Sequence, residues 1–231
     1  MTALFALPAL RCQTIALSGR TLLHDVSFAP RAGEFTALCG PNGAGKTTLI
    51  RALAGLLPGT TPNDPRRVAY VAQGARSAWG LTVRQVVELG RIPHGDTAAG
   101  PIERAMAAWG LTGLRDARID RISGGEARRA MLARALATEP VMLLLDEPTA
   151  DLDPAAAHAA MRLLRALAGQ GMAVVAVLHA IDLALEYAQR MLVLQDGRVV
   201  ADGAPGDCLA AAAAAFGMRA GSDPAPRLLP L

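Results

Sequence analysis

The chain has 231 residues and a net charge of +3, and its basic residues are so dispersed that Arg66-Arg67 and Arg128-Arg129 are no more than doublets. That length suits one α/β domain with a small subdomain and a sizeable core. Aromatics at 3 % argue against a stacking platform for nucleic acid, and no apolar run approaches the roughly 18 residues of a membrane span.

Three cysteines, Cys12, Cys39 and Cys208, are scattered and odd in number. They read as thiols in a reducing compartment rather than as a disulfide or metal set. The opening MTALFALPALR puts no positive residue ahead of its apolar part, unlike a secretory signal, so a cytoplasmic protein is expected. A mean hydropathy of +0.29 fits two accounts equally: an Ala/Leu/Val-rich composition, or a surface that docks on a membrane partner.

Residues 9–17, 21–28 and 34–38 alternate apolar and polar stretches and predict strands. The last runs into FTALCGPNGAGKTTLI at 35–50, where a short apolar run breaks at Gly40 and reaches Gly45-Lys46-Thr47 before a predicted helix. This is G-x-x-x-x-G-K-T between strand and helix, the context of a phosphate-binding P-loop. Gly40, Gly43 and Gly45 let successive N–H groups turn inward as an anion nest, and the helix adds its free N-terminal amides and positive dipole end. Lys46 is the chain's one lysine. A compact ammonium is thus kept where a point charge must fit between β- and γ-phosphates, and the Thr47 hydroxyl is expected on Mg²⁺.

Residues 55–59, GLLPG, stop the helix. After a loop at 60–65, residues 67–72 predict a strand ending at Gln73. Residues 74–138 change character, with helical patterns at 83–89 and 101–109 split by Gly-rich turns, and predict a helical insertion. Near its end ISGGE (122–126) precedes a helix at 127–137. Ser123, Gly124, Gly125 and that helix N-terminus are either a second anion site or an N-cap of capping-box type. A chain with one P-loop has a use for a second site if, in a symmetric dimer, it closes on the nucleotide of the other chain.

A continuous apolar run at 141–145 predicts a strand buried on both faces, followed by a helix at 155–168 and a second buried strand at 173–178. Residues 191–194 and 198–201 predict a hairpin about Asp196-Gly197, and 210–215 a short helix. The Pro-rich tail at 221–231 is expected to be flexible.

Four predicted strands thus end at Gly40, Gln73, Asp146-Glu147 and His179. Ligands of open α/β sheets bind at the carboxyl ends of parallel strands, so the four endings can share one crevice. Asp146 is the expected Mg²⁺ partner through water, and Glu147 the general base for an attacking water. Gln73 suits Mg²⁺ and water at the γ-phosphate, and His179 can bond that phosphate and orient the water.

GPNGAGKTT, Gln73, ISGGE, VMLLLDEP, the ADLD at 150–153 and His179 resemble, in order, the Walker A, Q-loop, signature, Walker B, D-loop and H-loop motifs of ABC-type ATPase domains. The match covers about residues 10–217. It implies an α/β fold: a P-loop NTPase core with a mostly parallel sheet, N-terminal antiparallel strands and the inserted helical subdomain, all within residues 1–220. It also implies ATP and Mg²⁺ as cofactors. Gly40, Pro41, Asn42, Gly43, Ala44, Gly45, Lys46, Thr47 and Thr48 would hold the phosphates, with Thr47, Gln73 and Asp146 on the metal and Glu147 and His179 catalytic. The implied assembly is a head-to-tail dimer in which Ser123, Gly124, Gly125 and Glu126 of one chain close on the other's nucleotide. Asp153 would couple the two sites, and a groove near Gln73 would dock a permease.

LGRIPH at 89–94 is similar to a segment common in ATPases of importers for iron–siderophore, haem and cobalamin complexes. This points to an ATP-hydrolysing importer subunit at the cytoplasmic face of the inner membrane. Its partners would be permease subunits and, indirectly, a periplasmic or surface substrate-binding protein, with no nucleic acid. An exporter subunit is the alternative within transport. Nucleic-acid types need a long coiled coil, and only 75 residues lie between Thr47 and Ser123. The chain departs from the family at Leu17, where an aromatic often stacks on adenine, and at Ile122, Glu126 and Ala180. Only eight residues separate Leu57 from Arg66, where relatives often carry a strand pair.

Overall fold

Every residue of the run Met142–Asp146 is buried. Alternate side chains of a strand leave by opposite faces, so Leu143 and Leu145 join one core while Met142 and Leu144 join another. The computed structural model describes residues 6–75, 80–221 and 227–230, and in it this run is one strand of a six-stranded sheet.

In chain order the strands are β1 (Leu10–Leu17), β2 (Arg20–Phe28), β3 (Phe35–Cys39), β4 (Val68–Val71), β5 (Met142–Asp146), β6 (Ala173–Val177), β7 (Arg190–Gln195), β8 (Arg198–Gly203), β9 (Met218–Gly221) and β10 (Arg227–Pro230). The helices are α1 (Lys46–Leu53), α2 (Val83–Glu88), α3 (Ala99–Ala108), α4 (Gly124–Ala137), α5 (Pro154–Gly169), α6 (Ile181–Tyr187) and α7 (Pro205–Ala215). The main sheet has the order β4-β5-β6-β3-β7-β8. Its pairs are parallel up to β7, and β8 closes the edge antiparallel. Parallel strands joined by helices end on the same side of the sheet, which brings the carboxyl ends of β3, β4, β5 and β6 together. β1 and β2 form a separate antiparallel pair.

The sheet divides two cores. Phe35, Ala37 and Cys39 of β3 face the larger one, with α2 to α7; Leu38 faces the smaller one, with α1 and the β1–β2 pair. Between β4 and β5 the described elements are all helical; residues 76–79 of the expected insertion lie outside the described residues. Within it α2 starts at a capping box, the Thr82 hydroxyl accepting from Gln85 N–H while Gln85 Oε1 accepts from Thr82 N–H.

Three local features differ from the sequence reading. The helix expected over 83–89 gives way to a 3₁₀ helix at Leu89–His94, the LGRIPH segment. It is latched to the end of α4: buried Arg91 donates to the Ala137 carbonyl at 3.0 Å and to both Asp96 oxygens at 2.9 Å, and Thr138 Oγ1 donates to the Gly90 carbonyl at 3.1 Å. A Cβ on Gly90 would stand 2.1 Å from the Arg134 carbonyl oxygen, so only glycine lets the two backbones approach this closely. Helix α4 starts at Gly124, three residues earlier than expected. Of the tail expected to be flexible over 221–231, residues 222–226 and 231 lie outside the described residues, and Arg227–Pro230 form β10, pairing antiparallel with β9 from Arg227↔Gly221 to Pro230↔Met218. Backbone ladder bonds order these residues where composition alone suggests disorder.

Candidate active site

β3 ends at Cys39 and the chain turns through residues 40–45 into α1. Gly40, Gly43 and Gly45 carry φ of 145°, 80° and 101°, the geometry an anion nest needs. Gly40 is also confined from outside: an added Cβ would lie 2.1 Å from the Leu194 carbonyl oxygen of β7. The Asp196-Gly197 turn braces the loop from below, Gly197 N–H donating to the Ala44 carbonyl at 3.1 Å. Helix α1 has no side-chain cap and no acidic residue in its first turn, which leaves its first amides and dipole end open to a phosphate.

Lys46 is folded across the loop, its Nζ donating to the carbonyls of Gly40 at 2.7 Å and Pro41 at 2.8 Å. Burial lowers its pKa, opposed first by the nearby Glu147 carboxylate and then by Cys39 and Asp146. The loop thus holds the ammonium by its own carbonyls, which anionic phosphate oxygens can replace.

Lys46, Thr47, Thr48, Asn42, Gly43, Gly45, Gln73, Glu147 and His179 line one cavity of about 490 Å³. The strand endings expected to converge do so. Glu147, the residue after β5, has a φ of 54°, a left-handed conformation uncommon for a side chain of its size. Its Oε1 lies 2.6 Å from His179 Nε2, just past β6. Asp146 is fully buried behind this cavity, and neither carboxylate oxygen has a well-formed hydrogen bond, though Thr47 lies beside it. Desolvation pushes its pKa up, opposed by Thr47 and the cations of Arg51 and Lys46.

Ser123, Gly124, Gly125 and Glu126 stand apart from this cavity. Ser123 N-caps α4: its hydroxyl accepts from Glu126 N–H at 3.2 Å and donates to Glu126 Oε2 at 2.8 Å, which also accepts from Ser123 N–H at 2.8 Å. Of the two readings the sequence leaves open, the capping box is present within the single chain. Asp153 also stands apart, capping α5 through a 2.9 Å bond from Ala156 N–H, with Pro154 in the first turn.

Two residues of the cavity lining have no counterpart in the sequence reading. Arg20 and Leu22, at the start of β2, face the P-loop, while half-buried Leu17 is not among the residues that line the cavity. The local signal for them is Ser18-Gly19, with φ of 50° and 79°, the tight turn that swings β2 back over the loop.

The sequence profile of the ABC transporter family matches residues 23–150, more than half of the chain. The chain belongs to the ABC transporter family. Its motifs and site make it the ATP-binding, ATPase component. This ABC ATPase is 42 % identical over 222 residues to the hemin import ATP-binding protein HmuV of Rhodococcus jostii, covering 87 % of this chain and 76 % of that one. It is 40 % identical over 236 residues to the cobalamin import ATP-binding protein BtuD of Halobacterium salinarum, covering 91 % of this chain but 59 % of that protein. Among solved structures, cbiO1 from Clostridium perfringens, part of the ABC transporter complex cbiONQ, has a TM-score of 0.76 at 27 % identity and covers 87 % of this ABC ATPase and 90 % of itself. An ATP-binding subunit of an ABC transporter with a TM-score of 0.76 at 24 % identity, covering 88 % and 91 %, shares the fold.

Proposed function

We propose that this ABC ATPase energises a membrane importer for a metal chelate: haem, an iron–siderophore complex or cobalamin. The observation that carries ATP hydrolysis is the convergence of Lys46, Gln73, Glu147 and His179 on one cavity. Import of such a chelate is supported by relatives whose names state hemin or cobalamin import.

On this reading residues 40–48 hold the phosphates, and Lys46 exchanges the Gly40 and Pro41 carbonyls for phosphate oxygens. Mg²⁺ fits the residues present. A fully buried carboxylate without a well-formed hydrogen bond, Asp146, stands behind the Thr47 hydroxyl, with the Gln73 amide on the same cavity as Thr47. The metal would supply charge neutralisation between the phosphates. Glu147 takes the proton of the attacking water, and His179 holds the Glu147 side chain at the cavity.

A second copy completes the site. Ser123, Gly124, Gly125 and Glu126 lie at the capped N-terminus of α4 and do not line the cavity of their own P-loop, which fits a head-to-tail partner. Asp153, at the start of α5, links the two sites in that arrangement. Gln73 itself lines the P-loop cavity, and permease subunits dock instead in the groove of about 300 Å³ bordered by Leu81, Gln85, Leu89 and Ile92, where Ile92 is 68 % exposed. They hold the subunit at the cytoplasmic face of the inner membrane, with a substrate-binding protein on the far side.

Uptake of labelled haem, cobalamin and ferric siderophores by a deletion strain tests this. Loss of uptake of one of them, restored by the wild-type chain and not by Lys46→Ala, is the expected result. Unchanged uptake of all three overturns the proposal.

A further inference from the structure

Among the buried cations of the described residues that take no part in these steps, Arg128 alone bonds to the Asp146–Glu147 backbone. Arg128 lies on α4, five residues beyond Ser123, and is 4 % exposed. Its guanidinium crosses to the carboxyl ends of two strands. Nη1 donates to the Ala72 carbonyl at 3.1 Å, and Nη2 donates to the carbonyls of Asp146 at 2.8 Å and Glu147 at 2.7 Å. Burial lowers its pKa, opposed by the charges of Asp151, Asp146 and Glu147. A buried guanidinium is tolerated when its protons find acceptors; here Nη1 and Nη2 find main-chain carbonyls, while the buried Nε–H has no hydrogen-bond partner.

Those carbonyls sit at particular places. The β4–β5 ladder stops at Val71↔Leu145, so Ala72 and Asp146 lie immediately beyond its last rung. Ala72 precedes Gln73. Glu147 is the left-handed residue whose side chain meets His179. A strained backbone persists only where its surroundings fix it, and one bond fixing it here comes from α4. The same helix carries Ser123 and Glu126 at its N-terminus.

We propose that Arg128 is a positioning residue for hydrolysis: it sets the Asp146–Glu147 backbone, and with it the general base, relative to the helix that bears Ser123–Glu126. The proposal rests on the reading of Glu147 as the base. A helix is a stiff element, so a shift of α4 when a partner's nucleotide reaches Ser123 is carried by this side chain to Glu147.

The test uses the full chain with Mg-ATP and the substitutions Arg128→Met and Arg128→Lys, alone and with Glu147→Gln. Arg128→Met is expected to change ATP affinity by no more than about twofold while kcat falls about 100-fold, the scale of a roughly 1 Å misplacement. Arg128→Lys, which keeps the charge and reaches only some of the three carbonyls, should recover part of kcat. Combined with Glu147→Gln, Arg128→Met should lower the residual single-turnover rate no further. Wild-type kcat in Arg128→Met beside an inactive Glu147→Gln overturns the role of Arg128 alone. Parallel loss of binding and kcat, or a full further loss on the Glu147→Gln background, also overturns it, since a purely structural residue would behave so. If Glu147→Gln turns over at the wild-type rate, the base assignment fails and the proposal with it. Should Arg128→Met not fold, Arg128→Lys decides by the same split between binding and kcat.

Discussion

His179 Nε2 and Glu147 Oε1 meet at 2.6 Å, although the two residues leave different strands 32 positions apart. An ionised Glu147 accepts this bond only when Nε2 carries the ring proton. The contact fixes where the carboxylate sits in the cavity and leaves its second oxygen to face water. His179→Ala should therefore keep ATP affinity and lower kcat about 100-fold, the lower end of what acid–base positioning supplies. Nucleotide titration beside steady-state turnover checks this; equal losses in both would contradict it.

On the proposed reading Asp146 serves Mg²⁺ at some cost to the nucleotide-free fold. Its carboxyl is raised above the ordinary 3.8 by burial, so the unfolded chain gives up this proton first. As pH rises from 3.8 through the raised value, the nucleotide-free fold loses stability relative to the unfolded chain. Asp146→Asn removes the buried charge and should stabilise the nucleotide-free protein by about 1–3 kcal/mol, a few degrees in melting temperature. The same substitution should shrink the stabilisation that Mg-ATP adds. Calorimetry with and without Mg-ATP reads both, and a lower melting temperature for nucleotide-free Asp146→Asn would contradict the assignment. The trade of stability against function is the usual one at a binding site.

The three thiols divide by burial. Cys39 has no exposure and burial pushes its pKa up to about 12, and Cys208 is 2 % exposed with its Sγ donating to the Met191 carbonyl at 3.4 Å. Cys12 is exposed beside Ser27. One thiol per native chain should react with a chromogenic disulfide at pH 8, becoming three in denaturant. Rapid native reaction of two or three would show that the cores open more readily than their packing implies.

Sequence patterning carried the individual strands and the strand–loop–helix of the P-loop because both are local. The five-residue runs at β3, β5 and β6 are buried throughout and mostly apolar, as strands covered on both faces are; Thr36 and the terminal Asp146 are the exceptions, and the P-loop, Glu147 and His179 follow at the carboxyl edge. Arg128 was only half of a basic doublet in the sequence, because its acceptors lie 56 and 18 residues away and are backbone atoms without a side-chain signature. Arg20 was hidden in the same way, since only the fold brings the β1–β2 turn over the P-loop. β10 was obscured by a Pro-rich composition that hydrogen bonds to β9 override. The signature residues show the opposite limit. Within one chain Ser123 satisfies Glu126 and caps its own helix, so the geometry of a single copy carries only half of what the motif resemblance implies.

The mass of Glu147→Gln in saturating Mg-ATP, measured by light scattering, tests most directly whether two chains share each nucleotide with Glu147 as the base. The expected result is an ATP-dependent doubling from the 23.9 kDa monomer with no sustained hydrolysis. Adding Ser123→Arg should return the species to monomer while each P-loop still binds ATP. A monomer at saturating ATP, or steady turnover by Glu147→Gln, would contradict this.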